Sequence, residues 1–167
     1  MTVETFRNHI DGAWVESASG RTFADINPAD TRDVVGRFQA SGADDARAAL
    51  DAARAAFDGW RRTPIGKRAK VLNDAASVLE ANAARFAEEL TREEGKSLAL
   101  AKDEVLRSAQ TLRFYAVEGQ TFTGETFPQD DPAMLVYTLR EPLLGVTVIS
   151  PWNFPVSIPA RKIAPAL

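Results

Sequence analysis

The sequence predicts an α/β fold, and three observations lead to this prediction. Short strands separated by turn residues occupy residues 6–38. Four segments with apolar residues at helical spacing follow, over residues 41–119. The run VTVIS at 146–150 is short, β-branched and almost wholly apolar, which is typical of a strand buried on both faces of a parallel sheet.

Composition narrows the class of protein. The chain has 167 residues, of which 45% are hydrophobic and 26% charged, as in globular proteins, and its net charge of −3 favours neither nucleic acid nor an anionic membrane as partner. It contains no cysteine and one histidine, His9, so that disulfides, thiol chemistry and a metal site are not expected from this chain alone. The sequence shows no signal peptide and no membrane-spanning run, and we expect a cytoplasmic location.

The opening segment predicts an antiparallel meander laid on a larger body. Asp11-Gly12 stands between Ile10 and Ala13 and suits a type I′ hairpin turn, in which both central residues need a positive φ. SASG at 17–20 and NPAD at 27–30 indicate two further turns.

Four helices are predicted next. Ser41 and Asp44 resemble a capping box for the first helix, whose apolar stripe is Ala46, Leu50, Ala53, Phe57 and Trp60. Pro64 is expected at the first position of the second helix. The third is expected to end at Gly95 in a left-handed conformation, and the fourth to run from Ser97 to about Gly119. Their predicted buried residues are Leu72, Ala76 and Leu79, then Phe86, Ala87 and Leu90, then Leu98, Ala101, Val105, Ala109, Leu112 and Ala116.

The last part of the chain predicts a strand at 133–140, the buried strand at 146–150, and a helix beginning near Pro159. Leu167 closes an apolar segment without a C-cap or polar tail, and a parallel strand needs a partner strand that the sequence does not supply. We therefore expect the chain to be the front part of a longer protein.

Residues 150–154 are the candidate site, because loops that leave the carboxyl end of a buried parallel strand bind ligands in α/β proteins. Pro151 stops the strand, Trp152 offers a flat apolar surface, and the Asn153 amide offers two N–H donors, as an oxyanion site requires. The alternative is that Trp152 and Phe154 fill the core while Asn153 caps the following helix. Spacing alone leaves both interpretations open.

Several stretches together resemble the NAD(P)-dependent aldehyde dehydrogenase superfamily. REPLLGVTVISPWNFPVSIPARKIAPAL (140–167) carries a PWNFP element followed by a K-x-A-P-A-L helix, as members of that superfamily do. HIDGAWVESASGRTFADINPAD is similar to the opening meander of the family. PIGKRAKVLNDAASVLE and EEGKSLALAKDEV are similar to its P-x-x-x-R helix and its E-x-GK segment. The resemblance extends along the whole chain, in order.

The resemblance implies roles for individual residues. Asn153 matches the asparagine whose amide helps to hold the oxyanion of the thiohemiacetal. Lys162 and Arg140 match recurrent positions to which we assign structural or interface roles. The stretch that lines the NAD or NADP site is matched by Ile149, Ser150, Pro151, Trp152 and Asn153.

In the family mechanism, a cysteine thiolate attacks the aldehyde, hydride passes to the nicotinamide, and a glutamate-activated water hydrolyses the thioester. The resemblance implies that this cysteine and this glutamate lie beyond Leu167, so that the 167-residue chain alone is inactive. Four glutamates of the predicted helices are expected on polar faces and not as the missing base: Glu80, Glu88, Glu93 and Glu94.

The implied domains are the meander and helices of the cofactor-binding domain at 1–123, an oligomerisation arm at 124–141, and the incomplete start of the Rossmann-like cofactor sheet at 142–167. The arm implies a homo-oligomer, a dimer or a tetramer. NPADTRDVVG and LTREEGK resemble the semialdehyde-oxidising branch, particularly the α-ketoglutarate semialdehyde (2,5-dioxopentanoate) dehydrogenases. Two alternatives stay open: an inactive binding or assembly module that pairs through 124–141, or a dehydrogenase for succinate semialdehyde or betaine-type aldehydes.

Overall fold

The structure, a computed structural model, describes residues 3–167; residues 1–2 of the predicted first domain lie outside them. Over these residues the helices are α1 (Ala43–Arg61), α2 (Ile65–Ala81), α3 (Ala83–Glu94), α4 (Leu98–Thr121) and α5 (Ser157–Ala166). The strands are β1 (Asn8–Ile10), β2 (Ala13–Val15), β3 (Thr22–Ile26), β4 (Val34–Gln39), β5 (Thr126–Phe127) and β6 (Val136–Tyr137). None of the helices in residues 3–167 has both the length and the apolar character needed to cross a membrane.

Two separate hairpins replace the predicted continuous meander. β1 pairs with β2 and β3 with β4, each antiparallel, but β2 does not pair with β3. After β2, the backbone N–H of Ser17 donates to the Gln39 side chain (2.8 Å) and that of Ala18 to the Asp45 side chain (2.8 Å). These two N–H groups are therefore bonded to side chains and not to a neighbouring strand. The predicted type I′ turn is confirmed, because Asp11 has φ 51° and Gly12 φ 74°.

The predicted cap of α1 is wrong by one residue. Gly42, and not Ser41, precedes the helix. The Asp45 carboxylate, and not that of Asp44, accepts a hydrogen bond from the Gly42 N–H (2.7 Å). The bond from Ala18 holds Asp45 in this position, and the hydrogen bonds from Gly42 and Ala18 keep its pKa below the ordinary value.

α4 is the central helix, and α2, α3 and α5 pack against it. One core cluster joins α2, α4 and α5, and its buried residues are Ala69, Leu72, Ala76, Ala109, Leu112, Ala116 and Ala164. A second cluster joins Ala87 and Leu90 of α3 to Ala101 of α4. These residues confirm the predicted buried faces of α2, α3 and α4, although Leu98 stays half-exposed at 51%. Their many alanines let the helix backbones approach one another closely. The predicted apolar stripe of α1 is not buried, and its Leu50 is 46% exposed.

The predicted helix ends are confirmed in part. Gly95 ends α3 with φ 83°, in the left-handed region that favours glycine. The Ser97 hydroxyl accepts a hydrogen bond from the Leu100 N–H at the start of α4 (3.5 Å). Pro64 precedes the first residue of α2 instead of occupying it, and α4 continues two residues past Gly119 to Thr121.

The chain after α4 forms less strand than the sequence predicts. Of the strand predicted at 133–140 only Val136–Tyr137 pairs, with Thr126–Phe127. The strand predicted at 146–150 is wrong: these residues belong to no strand, and Val146 and Ile149 are 56% and 79% exposed. A β-branched run becomes a buried strand only beside a partner strand, and none lies next to it among residues 3–167. The mixture of helices and strands agrees with the predicted fold class.

Candidate functional site

The loop predicted as the site runs over the surface into α5. Trp152 and Ile149 are each 79% exposed, and Phe154 is 46% exposed. The interpretation that Trp152 and Phe154 fill the core is therefore wrong for the described residues. Both aromatic rings, flanked by Pro151 and Pro155, are presented at the surface on a stiff segment.

The Asn153 side chain does not cap α5. Val156 is the residue that precedes the helix, and no side chain of the loop bonds to the first turn. The Asn153 carbonyl oxygen accepts a hydrogen bond from the Lys96 ammonium group (3.0 Å). Its amide has no hydrogen-bond partner within residues 3–167. The backbone of Asn153 is thus held while its two N–H donors stay available to a ligand.

A buried carboxylate fixes the position of the loop. One oxygen of Glu104, on α4, accepts hydrogen bonds from the N–H groups of Val156 (3.0 Å) and Ser157 (3.1 Å) at the start of α5. Its other oxygen bonds to Lys96, which also lies 3.0 Å from Glu94. The side chains of Glu104, Lys96 and Glu94 are only 1%, 10% and 11% exposed. We call Lys96 and Glu104 the buried pair.

The charges of the buried pair suit their surroundings. The Glu104 carboxylate lies at the N-terminus of α5, where the helix dipole favours a negative charge. Burial lowers the pKa of Lys96, but hydrogen bonds to Glu104 and Glu94 outweigh this effect and raise the pKa above its ordinary value. Lys96 also lies 4.3 Å from the centre of the Phe154 ring. Lys96 therefore stays charged at neutral pH, and the buried pair ties the loop to α4.

The sequence interpretation missed the buried pair, although the spacing of α4 contains a signal for it. Glu104 follows the predicted buried residue Ala101 by three positions and precedes the fully buried Ser108 by four, so it lies on the core face of α4. A glutamate on such a face needs a charged partner. The expectation that Glu94 lies on a polar face is also wrong, because its side chain is only 11% exposed and forms an ion pair with Lys96.

The residues expected at the cofactor show features that fit NAD or NADP. The Ser150 hydroxyl is buried without a hydrogen-bond partner among the described residues. On either side of it, Ile149 and Trp152 expose apolar surface on which a flat ring can lie. The Lys162 ammonium group bonds to the Ile149 carbonyl oxygen and ties the start of the loop to α5. A free hydroxyl between two exposed apolar side chains is suited to an aromatic ligand with polar substituents.

A cleft of about 330 Å³ lies on one side of the loop, lined by Asp25, Pro28, Glu93, Glu94, Trp152 and Pro155. Partial burial, and then the charges of Asp25 and Glu94, raise the pKa of Glu93. Carboxylates at this cleft disfavour the phosphate groups of a dinucleotide. In the described part of the chain, no group of three or more acidic or histidine side chains is placed to hold a metal ion.

Comparison with known proteins identifies the same family that the sequence motifs resemble. The model of the aldehyde dehydrogenase family matches residues 14–167. The α-ketoglutaric semialdehyde dehydrogenase of Bacillus subtilis is 45% identical over 163 residues, which are 98% of this chain and 33% of that protein. The 2,5-dioxopentanoate dehydrogenase of Saccharolobus solfataricus is 43% identical over 154 residues, or 92% of this chain and 32% of that protein.

Solved structures agree with the sequence relatives. The NADP-dependent enzyme of E. coli superposes with a TM-score of 0.90 at 35% identity, over 96% of this chain and 34% of its own. PnpE in complex with nicotinamide adenine dinucleotide superposes with a TM-score of 0.85 at 26% identity, over 99% and 33%. The chain thus spans about one third of the length of the relatives that it matches.

Proposed function

This chain belongs to the aldehyde dehydrogenase family, and we propose that the complete polypeptide that carries it oxidises a semialdehyde to a carboxylate with NAD or NADP. The free amide of Asn153, on a loop held by the buried pair, is the observation on which this proposal rests. The names of the two curated relatives favour α-ketoglutarate semialdehyde as the substrate.

Asn153 is the oxyanion donor in this proposal. An amide contributes most when it is aimed beforehand at the oxygen that becomes negative, because no reorganisation is then needed during the reaction. The backbone of Asn153 is held by Lys96, and the start of α5 by Glu104, so the loop is fixed from both sides. This arrangement fixes the backbone that carries the amide and leaves the amide unpaired within the described residues.

The cofactor residues in this proposal are Ile149, Ser150, Pro151, Trp152 and Asn153. When bound, NAD or NADP accepts the hydride of the aldehyde. The exposed faces of Ile149 and Trp152 bind and shield an apolar ring, and the free Ser150 hydroxyl supplies a hydrogen bond. Because the chain has no cysteine, the cysteine nucleophile of the family mechanism comes from outside these 167 residues, and in this proposal the water-activating glutamate does too.

Oxidation assays with a panel of aldehydes test this function. Purified complete polypeptide is mixed separately with NAD and NADP and with α-ketoglutarate semialdehyde, succinate semialdehyde or betaine aldehyde, and cofactor reduction is followed by absorbance. We expect the highest kcat/KM with α-ketoglutarate semialdehyde. A preference for succinate semialdehyde or betaine aldehyde would replace the proposed substrate, and no reduction with any aldehyde would refute the function.

The partner that we propose is a second copy of the polypeptide, bound through residues 124–141. Leu135 and Leu139 of this segment are 75% and 73% exposed, and the β5–β6 hairpin is only two pairs long. A short apolar hairpin gains most by pairing with another strand. Leu135→Asp combined with Leu139→Asp is expected to convert dimers or tetramers to monomers in analytical ultracentrifugation. Unchanged oligomers would show that another surface joins the copies.

A further inference from the structure

Lys96 occupies a fixed position in the short turn between α3 and α4. Gly95 precedes it, with φ 83° and an N–H that donates to the Thr91 carbonyl oxygen (2.9 Å). Ser97 follows it, and its hydroxyl caps the start of α4. Because a helix cap restricts the backbone on each side, the lysine side chain starts from a defined point. That side chain is only 10% exposed.

The ammonium group of Lys96 contacts oxygen atoms from three parts of the fold. The Glu94 carboxylate, 3.0 Å away, lies at the end of α3, and the Glu104 carboxylate lies on α4. The third oxygen is the Asn153 carbonyl, also at 3.0 Å. An ammonium group has three N–H donors and no acceptor, so three oxygens match its capacity. The two helices therefore fix the ammonium group, and the ammonium group fixes the Asn153 carbonyl.

This contact is made at the residue that carries the free amide. In residues 3–167, the side-chain bonds on either side of it reach the backbone at Ile149 and Val156, and Lys96 bonds to the backbone between them. The carbonyl carbon of Asn153 is bonded directly to the Cα atom that carries the side chain. Because the peptide bond is planar, holding its oxygen restricts the rotation about the Cα–C bond. A fixed carbonyl therefore limits the directions that the amide can take.

The Phe154 ring strengthens the same contact. Lys96 Nζ lies 4.3 Å from the centre of this ring, on the residue that follows Asn153. Attraction between a cation and an aromatic ring increases when the cation is desolvated, as this lysine is. Although burial lowers the pKa of Lys96, hydrogen bonds to Glu104 and Glu94 raise it above the ordinary value. The charge on which both contacts depend is thus kept at neutral pH.

We propose that Lys96 is a positioning residue that acts through Asn153: by holding the Asn153 carbonyl oxygen, it directs the side-chain amide at the oxygen that becomes negative during the reaction. This inference rests on the proposed aldehyde oxidation and adds the residue that orients its oxyanion donor. Such a donor is most effective when its direction is set before the reaction, and a misplacement of about 1 Å can lower the rate about 10²-fold.

The test compares Glu104→Gln with the double variant Lys96→Met/Glu104→Gln in the complete polypeptide. Glutamine keeps an acceptor for the N–H groups at the start of α5, and it leaves no buried charge at position 104 when the lysine is removed. Glu94 lines a cleft in which water can solvate it. We expect Lys96→Met to lower kcat for α-ketoglutarate semialdehyde about 10- to 100-fold. KM and the Kd of the cofactor should change less than about threefold, because Lys96 contacts neither ligand.

Asn153→Ala separates positioning from a general effect on the fold. If Lys96 acts through the amide, Lys96→Met should not lower kcat further once Asn153→Ala has removed that amide, so the two substitutions are not additive. A second readout does not need turnover: the inhibition constant of an analogue that mimics the oxyanion should rise as kcat falls.

Lys96→Arg tests the geometry in a site that keeps its charges. Arginine stays paired with both carboxylates, but its planar guanidinium group places the donors differently. This variant should lower kcat less than Lys96→Met does and, again, only when the Asn153 amide is present. Lys70→Met is the matched control, because Lys70 lies on α2 in an exposed pair with Asp74 (2.6 Å). It should leave all constants unchanged.

Two results would overturn the inference while leaving aldehyde oxidation in place. One is an unchanged kcat when Lys96→Met is added to Glu104→Gln. The other is an equal fall in kcat with and without the Asn153 amide, which would show that Lys96 supports the fold and does not act through Asn153. A wild-type polypeptide that oxidises no aldehyde would instead refute the proposed function, and the inference with it.

Discussion

Replacing Asn153 by alanine is expected to lower the turnover of aldehyde oxidation about 10²- to 10³-fold, because loss of one preoriented oxyanion donor has an effect of this size. The free energy of unfolding should hardly change. The Asn153 amide makes no hydrogen bond within residues 3–167, and the backbone contact with Lys96 does not need the side chain. Steady-state kinetics and chemical denaturation of the complete polypeptide measure the two quantities.

Asn82→Ala is the matched control for this substitution. Asn82 lies between α2 and α3, and its amide donates to the Val78 carbonyl oxygen (2.8 Å), away from the site loop. This variant should keep full turnover. If Asn153→Ala instead kept its turnover and lost about 1 kcal/mol of stability, Asn153 would have the capping role that the sequence also allowed.

Replacing Glu104 by alanine is expected to lower the free energy of unfolding by about 3–5 kcal/mol, the usual cost of removing one partner of a buried ion pair. Lys96 would keep a buried charge with Glu94 as its remaining carboxylate, and the N–H groups of Val156 and Ser157 would lose their acceptor. Turnover should fall as well, because α5 and the Asn153 loop would no longer be tied to α4. Urea denaturation of the complete polypeptide gives the change in stability.

Glu89→Ala is the control for the loss of a carboxylate. Glu89 pairs with Arg85 at 2.9 Å on α3, and both side chains are at least half exposed, so its removal should cost less than about 1 kcal/mol. Glu104→Gln keeps an acceptor for the two N–H groups and should fall between the wild type and Glu104→Ala. A loss below about 1 kcal/mol in Glu104→Ala would contradict the role of the buried pair.

The helices could be predicted because their signals are local. Alanine and leucine at helical spacing predicted the faces of α2, α3 and α4 that are buried, and Gly95 marked the end of α3. The absence of a strand at 146–150 could not be predicted from composition, because a strand also depends on a neighbouring strand elsewhere in the chain. The capping carboxylate of α1 is that of Asp45 and not of the predicted Asp44, because Asp45 also accepts a hydrogen bond from the N–H of Ala18, 27 residues earlier.

The site could be predicted only in its exposed part. The prolines around Trp152 and Asn153 mark a stiff loop, and the structure presents Trp152 at the surface. The support beneath the loop connects distant positions: Glu104 is 52 residues from Val156, and Lys96 is 57 residues from Asn153. The spacing of α4 marks Glu104 as buried but does not identify its partners, which depend on the packing of α4 against α5.

The most direct test is a crystal structure of the complete polypeptide with NAD or NADP and a substrate analogue that mimics the oxyanion. We expect the Asn153 amide nitrogen about 2.7–3.1 Å from the analogue oxygen, with the nicotinamide against residues 149–152 and the Lys96–Glu104 pair intact. An amide turned away from the analogue, or a cofactor bound elsewhere, would contradict the role of this loop in aldehyde oxidation.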